Sequence, residues 1–318
     1  MNARRTGFLF RLAAALFLGF GAGSARADDD DYYPRSPDTC LETQVALARL
    51  DFSCGAIDGD FGSKTESALR AFQRQNGIPV TGILDSATSD ILQLDSPALS
   101  TTSVSQYDLD HLQPLSTTWV GKSQQTEMGY ENALQLVAEQ HHLTPVLLRH
   151  LNPGVDWKAI TPSVVIRVPD VERRGTRSQA ARVQISLDCM TLDVLDARDR
   201  VMAHFPVSIA LKVAKRPVGE LHVTVKVSNP DYTVDPGNFP ESAELNALGH
   251  TLVLPPGPRN PVGLAWIGLD RTGYGIHGTP EPARIGRAES HGCFRLTNWD
   301  ALALLEYVAI GTPVRVER

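Results

Sequence analysis

The sequence predicts a multidomain protein: a small all-α three-helix module, an α+β segment, and a mainly-β, sandwich- or barrel-like domain with one helix late in the chain. Three observations carry this. Residues 37–95 hold short apolar stretches at helical spacing. Helix and strand patterns mix over 117–170. From Arg182 onward short alternating runs follow one another without the long helices that a parallel doubly wound sheet needs. A chain of 318 residues has room for two or three domains, and 42% hydrophobic residues is an ordinary globular composition.

The first residues read as an export signal. Arg4, Arg5 and Arg11 flank an apolar run, Leu12 to Ala22, that is short for a membrane span, and Ala25-Arg26-Ala27 is a small-residue cleavage site. Cleavage after Ala27 predicts a periplasmic protein with no membrane span. It removes four arginines and no acid, taking the net charge from −6 to −10. Such a surface lacks the basic face that nucleic-acid binding requires. Residues 28–34 read as a solvated tail.

In the 37–95 module, Leu41 to Leu50 has helical spacing. Ile57-Asp58-Gly59-Asp60-Phe61-Gly62 is a tight turn, and Ser63-Lys64-Thr65-Glu66 spells a capping box before a helix carrying Ala68, Leu69 and Phe72. Asp58 and Asp60 lack the later oxygen ligands and closing glutamate of a calcium loop. Cys40 and Cys54 flank one helical segment. Export favours a disulfide between them, with two buried thiols as the alternative. The order Asp58-Gly59, Gly62, Thr65, Ala68-Leu69, Phe72-Gln73 and Gly82 resembles the peptidoglycan-binding three-helix module of cell-wall enzymes.

Residues 96–116, rich in Ser and Thr with Pro97 and Pro114, read as a linker. Over 117–170, Glu131 to His141 is one helix, Thr144-Pro145 opens a second, Leu151-Asn152-Pro153-Gly154 ends it, and Val164 to Pro169 is a strand. This resembles a LysM carbohydrate-binding module, with Gly129-Tyr130-Glu131-Asn132 replacing the usual Gly-Asp-Thr opening. Residues 171–182 form a second linker, and 183–318 the β-rich domain. Cys189, in an alternating strand pattern, is expected to be a packed thiol.

The chemistry sits late in the chain. Cys293 lies in Ser290-His291-Gly292-Cys293-Phe294-Arg295, and His277 precedes it by sixteen residues in Gly275-Ile276-His277-Gly278-Thr279. A thiolate is the attacking species, so a neighbouring base is a chemical requirement, and a glycine beside the nucleophile leaves room for a carbonyl. His277, His291 and Cys293 lack the paired-ligand spacing of a zinc site. Thr297 can cap a following helix.

His277-Gly278-Thr279 followed by Ser290 to Arg295, with the upstream run Pro255 to Gly263, resembles the L,D-transpeptidase (YkuD) catalytic domain over about residues 183–317. The resemblance implies Cys293 as nucleophile and His277 as its base, oriented by the Gly278 carbonyl. It also implies Gly292 and Cys293 amides as oxyanion donors, Ser290 and His291 as shapers of the pocket, and Arg295 as an anchor for site geometry or a substrate carboxylate. It implies no cofactor or metal. The implied substrate is peptidoglycan, a tetrapeptide stem donor that loses D-alanine to form a thioester. The acceptor is a stem amine, a wall-anchored lipoprotein lysine or water. The rival readings are a wall-cutting cysteine peptidase and a non-catalytic wall-binding protein.

Overall fold

The computed structural model describes residues 32–173, 176–290 and 292–318. The expected export signal therefore lies outside the described residues. The first module folds as α1 (Cys40–Arg49), α2 (Ser63–Asn76) and a single turn, α3 (Ser86–Ser89). Thr39 caps α1 by accepting from the Glu42 amide, and Gly77 ends α2 in the left-handed region at φ 66°. The Ser63 capping box does not form. The helix begins one residue earlier than that motif requires, Gly62 is its N-cap, and Glu66 instead pairs with Arg70 at 2.8 Å.

Two buried glutamines hold the turns of this module. Gln44 Nε2 donates to Asp58 Oδ1 at 2.8 Å and to Thr65 Oγ1 at 3.0 Å. Gln73 Nε2 donates to Thr81 Oγ1 at 2.9 Å and Thr88 Oγ1 at 2.8 Å, while its oxygen accepts from the Gly82 amide at 2.8 Å. A buried amide that satisfies several partners at once pins the turn it bonds. Cys40 and Cys54 are free thiols, which corrects the expected disulfide. Cys54 is enclosed and hydrogen-bonded to Thr65. Burial pushes the Cys40 thiol up to about 11 and the Cys54 thiol up to about 12.

The segment 96–116 is not a linker. It contains β1 (Leu99–Thr102) and α4 (Gln106–Asp110). The chain continues through α5 (Trp119–Ser123), α6 (Ala133–Gln140), α7 (Pro145–Leu151) and β2 (Ile166–Pro169). β1 pairs antiparallel with β2, from Leu99 opposite Pro169 to Thr102 opposite Ile166. The second module is thus two helices bracketed by two strands, with residues 103–132 as an excursion before α6. Asn152 stitches it together: its Nδ2 donates to Leu148 O at 2.9 Å and Arg167 O at 2.8 Å, and its Oδ1 accepts from the Arg167 amide at 2.7 Å.

The third module contributes β3 (Arg182–Ser186), β4 (Thr191–Leu195), β5 (Val201–Pro206), β6 (Ile209–Ala210) and β7 (Gly219–Ser228). β8 (Tyr232–Val234), α8 (Ala243–Leu248) and β9 (Leu252–Leu254) form a small flap. β10 (Ala265–Leu269), β11 (Gly275–His277), β12 (Ala288–Ser290), β13 (Phe294–Arg295), α9 (Asn298–Tyr307) and β14 (Pro313–Glu317) complete it. Eight strands form one mixed sheet in the order β13-β11-β10-β7-β14-β3-β4-β5, curled as a half-barrel. Ala301, Leu304 and Tyr307 of α9 join Val183, Ile267 and Ile276 in its core. Cys189 is exposed in the β3–β4 turn, not packed, because the strand ends at Ser186.

The modules are joined through buried polar contacts. Asp51, buried and left-handed at φ 60°, accepts two hydrogen bonds from Arg177 at 2.9 Å each and one from Tyr307 Oη at 2.7 Å, and pairs with Arg173 at 2.5 Å. Both arginines lie in the stretch 171–182 expected to be a linker. Ser53 N donates to His204 O at 2.8 Å, and Arg74 pairs with Asp193 at 2.9 Å, tying α2 to the edge strand β5 and its neighbour. Removing one member of a buried ion cluster strands the rest. Asp51→Ala is therefore expected to lower stability by roughly 3 kcal/mol, read as a fall in the urea midpoint, whereas a loss below about 1 kcal/mol would mean the cluster adds no net stability.

Candidate active site

Backbone pairing brings the two reactive side chains together. β11 and β13 are parallel neighbours, with Ile276 opposite Phe294 and His277 opposite Arg295. His277 ends β11, and Cys293 immediately precedes β13. Parallel neighbours need a crossover connection, and Ser208, fully buried, pins this one. Its N–H donates to Arg295 O at 2.9 Å, its O accepts from the Arg295 amide at 2.9 Å, and its Oγ accepts from the Gly286 and Arg287 amides at 3.1 and 3.2 Å. Arg284, on the same loop, pairs with Glu281 and Glu289 at 3.1 and 2.8 Å, so its charge serves the loop.

His277 and Cys293 line one cleft of about 510 Å³. His277 is buried, with its ring stacked on Trp266 at 5.6 Å between centroids. Its Nδ1 donates to the Gly278 carbonyl at 2.6 Å, which places the proton on Nδ1 and leaves the Nε2 lone pair free to accept. Burial pushes His277 down to about 4, with the nearby Arg295 charge acting in the same direction. Burial raises the Cys293 thiol above its ordinary value, although Arg295 opposes the rise, and Sγ donates to Gly273 O at 3.5 Å. Both residues are therefore neutral at rest, a thiol and an imidazole lining the same cleft.

Ser290 shapes the turn beneath the sulfur. Its Oγ donates to the Cys293 carbonyl at 2.5 Å and accepts from the Gly292 amide at 3.3 Å. The Gly292 amide is thus engaged at rest. A Cβ on Gly292 would meet only Tyr274, at 3.9 Å, so the fold itself leaves this position open toward the cleft. Gly278 is different: a Cβ there would collide with Asn298 Oδ1. Arg295 lines the cleft, and its buried Nε has no hydrogen-bond partner among the described residues. His291 lies outside the described residues.

The sequence does not reveal the rest of the cleft. Tyr232 and Phe239 come from the β8–α8–β9 flap, and Trp119 comes from the second module. The Trp119 ring lies 5.3 Å from that of Phe239, and Glu244 accepts from the Trp119 and Val120 amides at 3.0 and 2.9 Å. A lone tryptophan after a Ser/Thr-rich stretch carries no signal of such a role. Lys215 adds a cation at the rim.

The neutral pair fixes the sign of the pH dependence. Nε2 accepts a proton only when His277 is unprotonated, so acylation of Cys293 by an activated carbonyl compound is expected to fall as pH drops through about 4. Alkylation by iodoacetamide needs free thiolate and is expected to climb beyond the ordinary cysteine range. An alkylation rate already at its plateau at neutral pH would show a preformed thiolate–imidazolium pair instead.

Comparison with known proteins finds two described domains in the chain. Residues 180–316 match the family described as the L,D-transpeptidase catalytic domain, YkuD, and residues 38–92 match the one described as "Putative peptidoglycan binding domain". The chain is 27% identical over 183 residues to the "Putative L,D-transpeptidase YkuD" of Bacillus licheniformis, covering 58% of this chain and 92% of that one. It is 29% identical over 196 residues to the "Probable L,D-transpeptidase YbiS" of Escherichia coli K12, covering 59% and 60% of the two chains. Among solved structures, an L,D-transpeptidase of Xylanimonas cellulosilytica aligns over 90% of this chain and 99% of that chain at 18% identity and a TM-score of 0.37. Among the described residues no helix is long and apolar enough to cross a membrane. Residues 180–316 thus match a catalytic domain of the L,D-transpeptidases, which are transferases, and the same chain carries a match to a peptidoglycan-binding domain over residues 38–92.

Proposed function

We propose that this protein is a periplasmic, cysteine-dependent L,D-transpeptidase that acts on peptidoglycan stem peptides after cleavage of its export signal behind Ala27. The observation that carries the reading is the convergence of Cys293 and a tautomer-fixed His277 in one cleft. Sγ attacks the carbonyl that joins the L-centre of the third stem residue to D-alanine. As the C–S bond forms, His277 Nε2 takes the thiol proton. The oxyanion is met by the Cys293 amide, and by the Gly292 amide once Ser290 Oγ releases it; such a donor is worth roughly 3 kcal/mol. Collapse breaks the C–N bond, and the imidazolium returns its proton to the departing D-alanine amine. The thioester keeps the acyl group activated, so the transfer needs neither ATP nor a metal.

In the second half an amine of another stem attacks the thioester, His277 takes its proton, and the C–S bond breaks to restore the thiol and leave a 3→3 cross-link. Arg295, with a buried donor unspent, suits a substrate carboxylate, and charge-assisted contacts of this kind both orient and bind. Trp119, Phe239 and Tyr232 offer apolar surface to the stem. The 38–92 domain supplies wall affinity.

Incubation with a carbapenem is expected to add one adduct mass on Cys293, and Cys293→Ala is expected to abolish it. Treated sacculi are expected to yield 3→3 dimers on digestion. Trimmed stems without dimers would make water the acceptor and the protein a carboxypeptidase. Trp119→Ala is expected to raise KM for a tetrapeptide stem several-fold with kcat nearly unchanged, the pattern of lost ground-state binding. A fall in kcat alone would assign Trp119 a different role.

A further inference from the structure

We propose that Glu139 and Asn298 form a two-residue strut that positions the His277 ring, so that helix α6 of the second module is a working part of the active-site scaffold. Asn298 opens α9 and is buried. Its Oδ1 accepts from the Leu264 amide at 3.0 Å. Its Nδ2 donates to Glu139 Oε1 at 2.6 Å and to Pro258 O at 3.1 Å. The amide has one orientation: turning it over would set Oδ1 against a carboxylate and a carbonyl and leave the Leu264 amide facing a donor.

That fixed oxygen is what the histidine's support leans on. A Cβ at Gly278 or at Gly263, the latter at φ +63°, would collide with Asn298 Oδ1, so both backbones lie directly against it. The Gly278 carbonyl in turn accepts the His277 Nδ1 proton at 2.6 Å. The contacts therefore run from Glu139 to Asn298, from Asn298 to the Gly278 peptide, and from Gly278 to the imidazole. The other polar groups facing Glu139 are Tyr130, which hydrogen-bonds to it, and Arg259. Burial pushes Glu139 up to about 7, and its hydrogen bonds to Asn298 and Tyr130 oppose that rise. A carboxylate suits this place because it rejects the flipped amide more strongly than a neutral acceptor does. Glu139 touches no reacting atom; it is a positioning residue.

The strut rests on the proposed role of His277 as base, so the test carries a readout that needs no turnover. The full chain is made as wild type, Glu139→Ala, Glu139→Gln and Glu131→Ala. Glu131 pairs with Arg259 at 3.7 Å at the same junction and serves as the matched control. Carbapenem acylation of Cys293 is resolved into initial affinity and maximal rate, and the His277 tautomer is read from ¹⁵N chemical shifts of the imidazole. Glu139→Ala is expected to cut the maximal rate about 10-fold or more with affinity unchanged, the scale of effect a small misplacement produces. It is also expected to turn the single Nδ1–H tautomer into a mixture. Glu139→Gln is expected to recover most of both, and Glu131→Ala to change neither. In the double variant Glu139→Ala/Asn298→Ala, rate losses smaller than the product of the single losses are expected, as for one coupled unit. A Glu139→Ala protein with a wild-type tautomer and a rate within about twofold of wild type would overturn the strut, even if its melting temperature fell. A wild-type protein that takes no carbapenem would instead count against the transpeptidase reading and leave the strut to be judged by the tautomer alone.

Discussion

The parallel pairing of β11 with β13 is the constraint on which the rest of this molecule depends. It sets His277 opposite Arg295 and leaves Cys293, one residue before β13, level with Gly275, so that His277 and Cys293 line one cleft two positions apart along the strands. Two short strands cannot hold such a register by themselves, since three and two residues offer few ladder bonds. The register is secured from outside, by Ser208, which lies between β5 and β6 and binds both the crossover loop and Arg295, and by α9 packed beneath. The helix that follows Cys293 therefore has two duties. Its hydrophobic face fills the core of the half-barrel, and its first residue, Asn298, braces the backbone that orients the histidine.

The electrostatics of the cleft follow from burial more than from charge. His277 and Cys293 are both pushed toward their neutral forms, and the Gly278 carbonyl selects the tautomer without adding a negative charge. A carboxylate in that position would hold the proton more tightly and favour imidazolium. A neutral carbonyl gives orientation with a weaker base, which suits the proposed transfer, in which the proton must leave again with the departing amine. Among the described residues Arg295 is the cation that acts on both, and it favours thiolate over imidazolium.

The modules lie against one another through polar contacts that are buried or nearly so. Asp51 reaches Arg173, Arg177 and Tyr307, Ser53 Oγ donates to Asp300 at 3.0 Å, and Met128 exchanges backbone hydrogen bonds with Pro256 and Arg259. Gly257, at φ +138°, permits that last approach, since a Cβ would strike the Met128 backbone. Part of the Pro255–Gly263 run, legible as a family feature, thus holds the excursion that delivers Trp119 to the cleft. Wall-binding and catalytic parts share one packed body from Tyr33 to Arg318.

The sequence by itself determined the candidate site residues and the local elements. Cys293, His277 and Gly292 are legible because a thiol nucleophile demands a base and a close approach, and such needs are written in residue type and spacing. α2, α7 and α9 are legible because helical periodicity and caps are local, as Thr144 and Thr297 show. Only the tertiary structure decided the rest. β1 has four residues and no usable period, and its partner β2 lies more than sixty positions away, so the stretch around it reads as a linker. Ser63 forms no capping box because α2 begins one residue before the motif allows. Cys40 and Cys54 are thiols because packing and Thr65, not spacing, set their surroundings. Trp119 and Glu139 reach the active site across 125 and 159 positions from Glu244 and Asn298. Contacts of that range leave no local pattern, because a hydrogen bond records how the chain folds back and not the order of its residues.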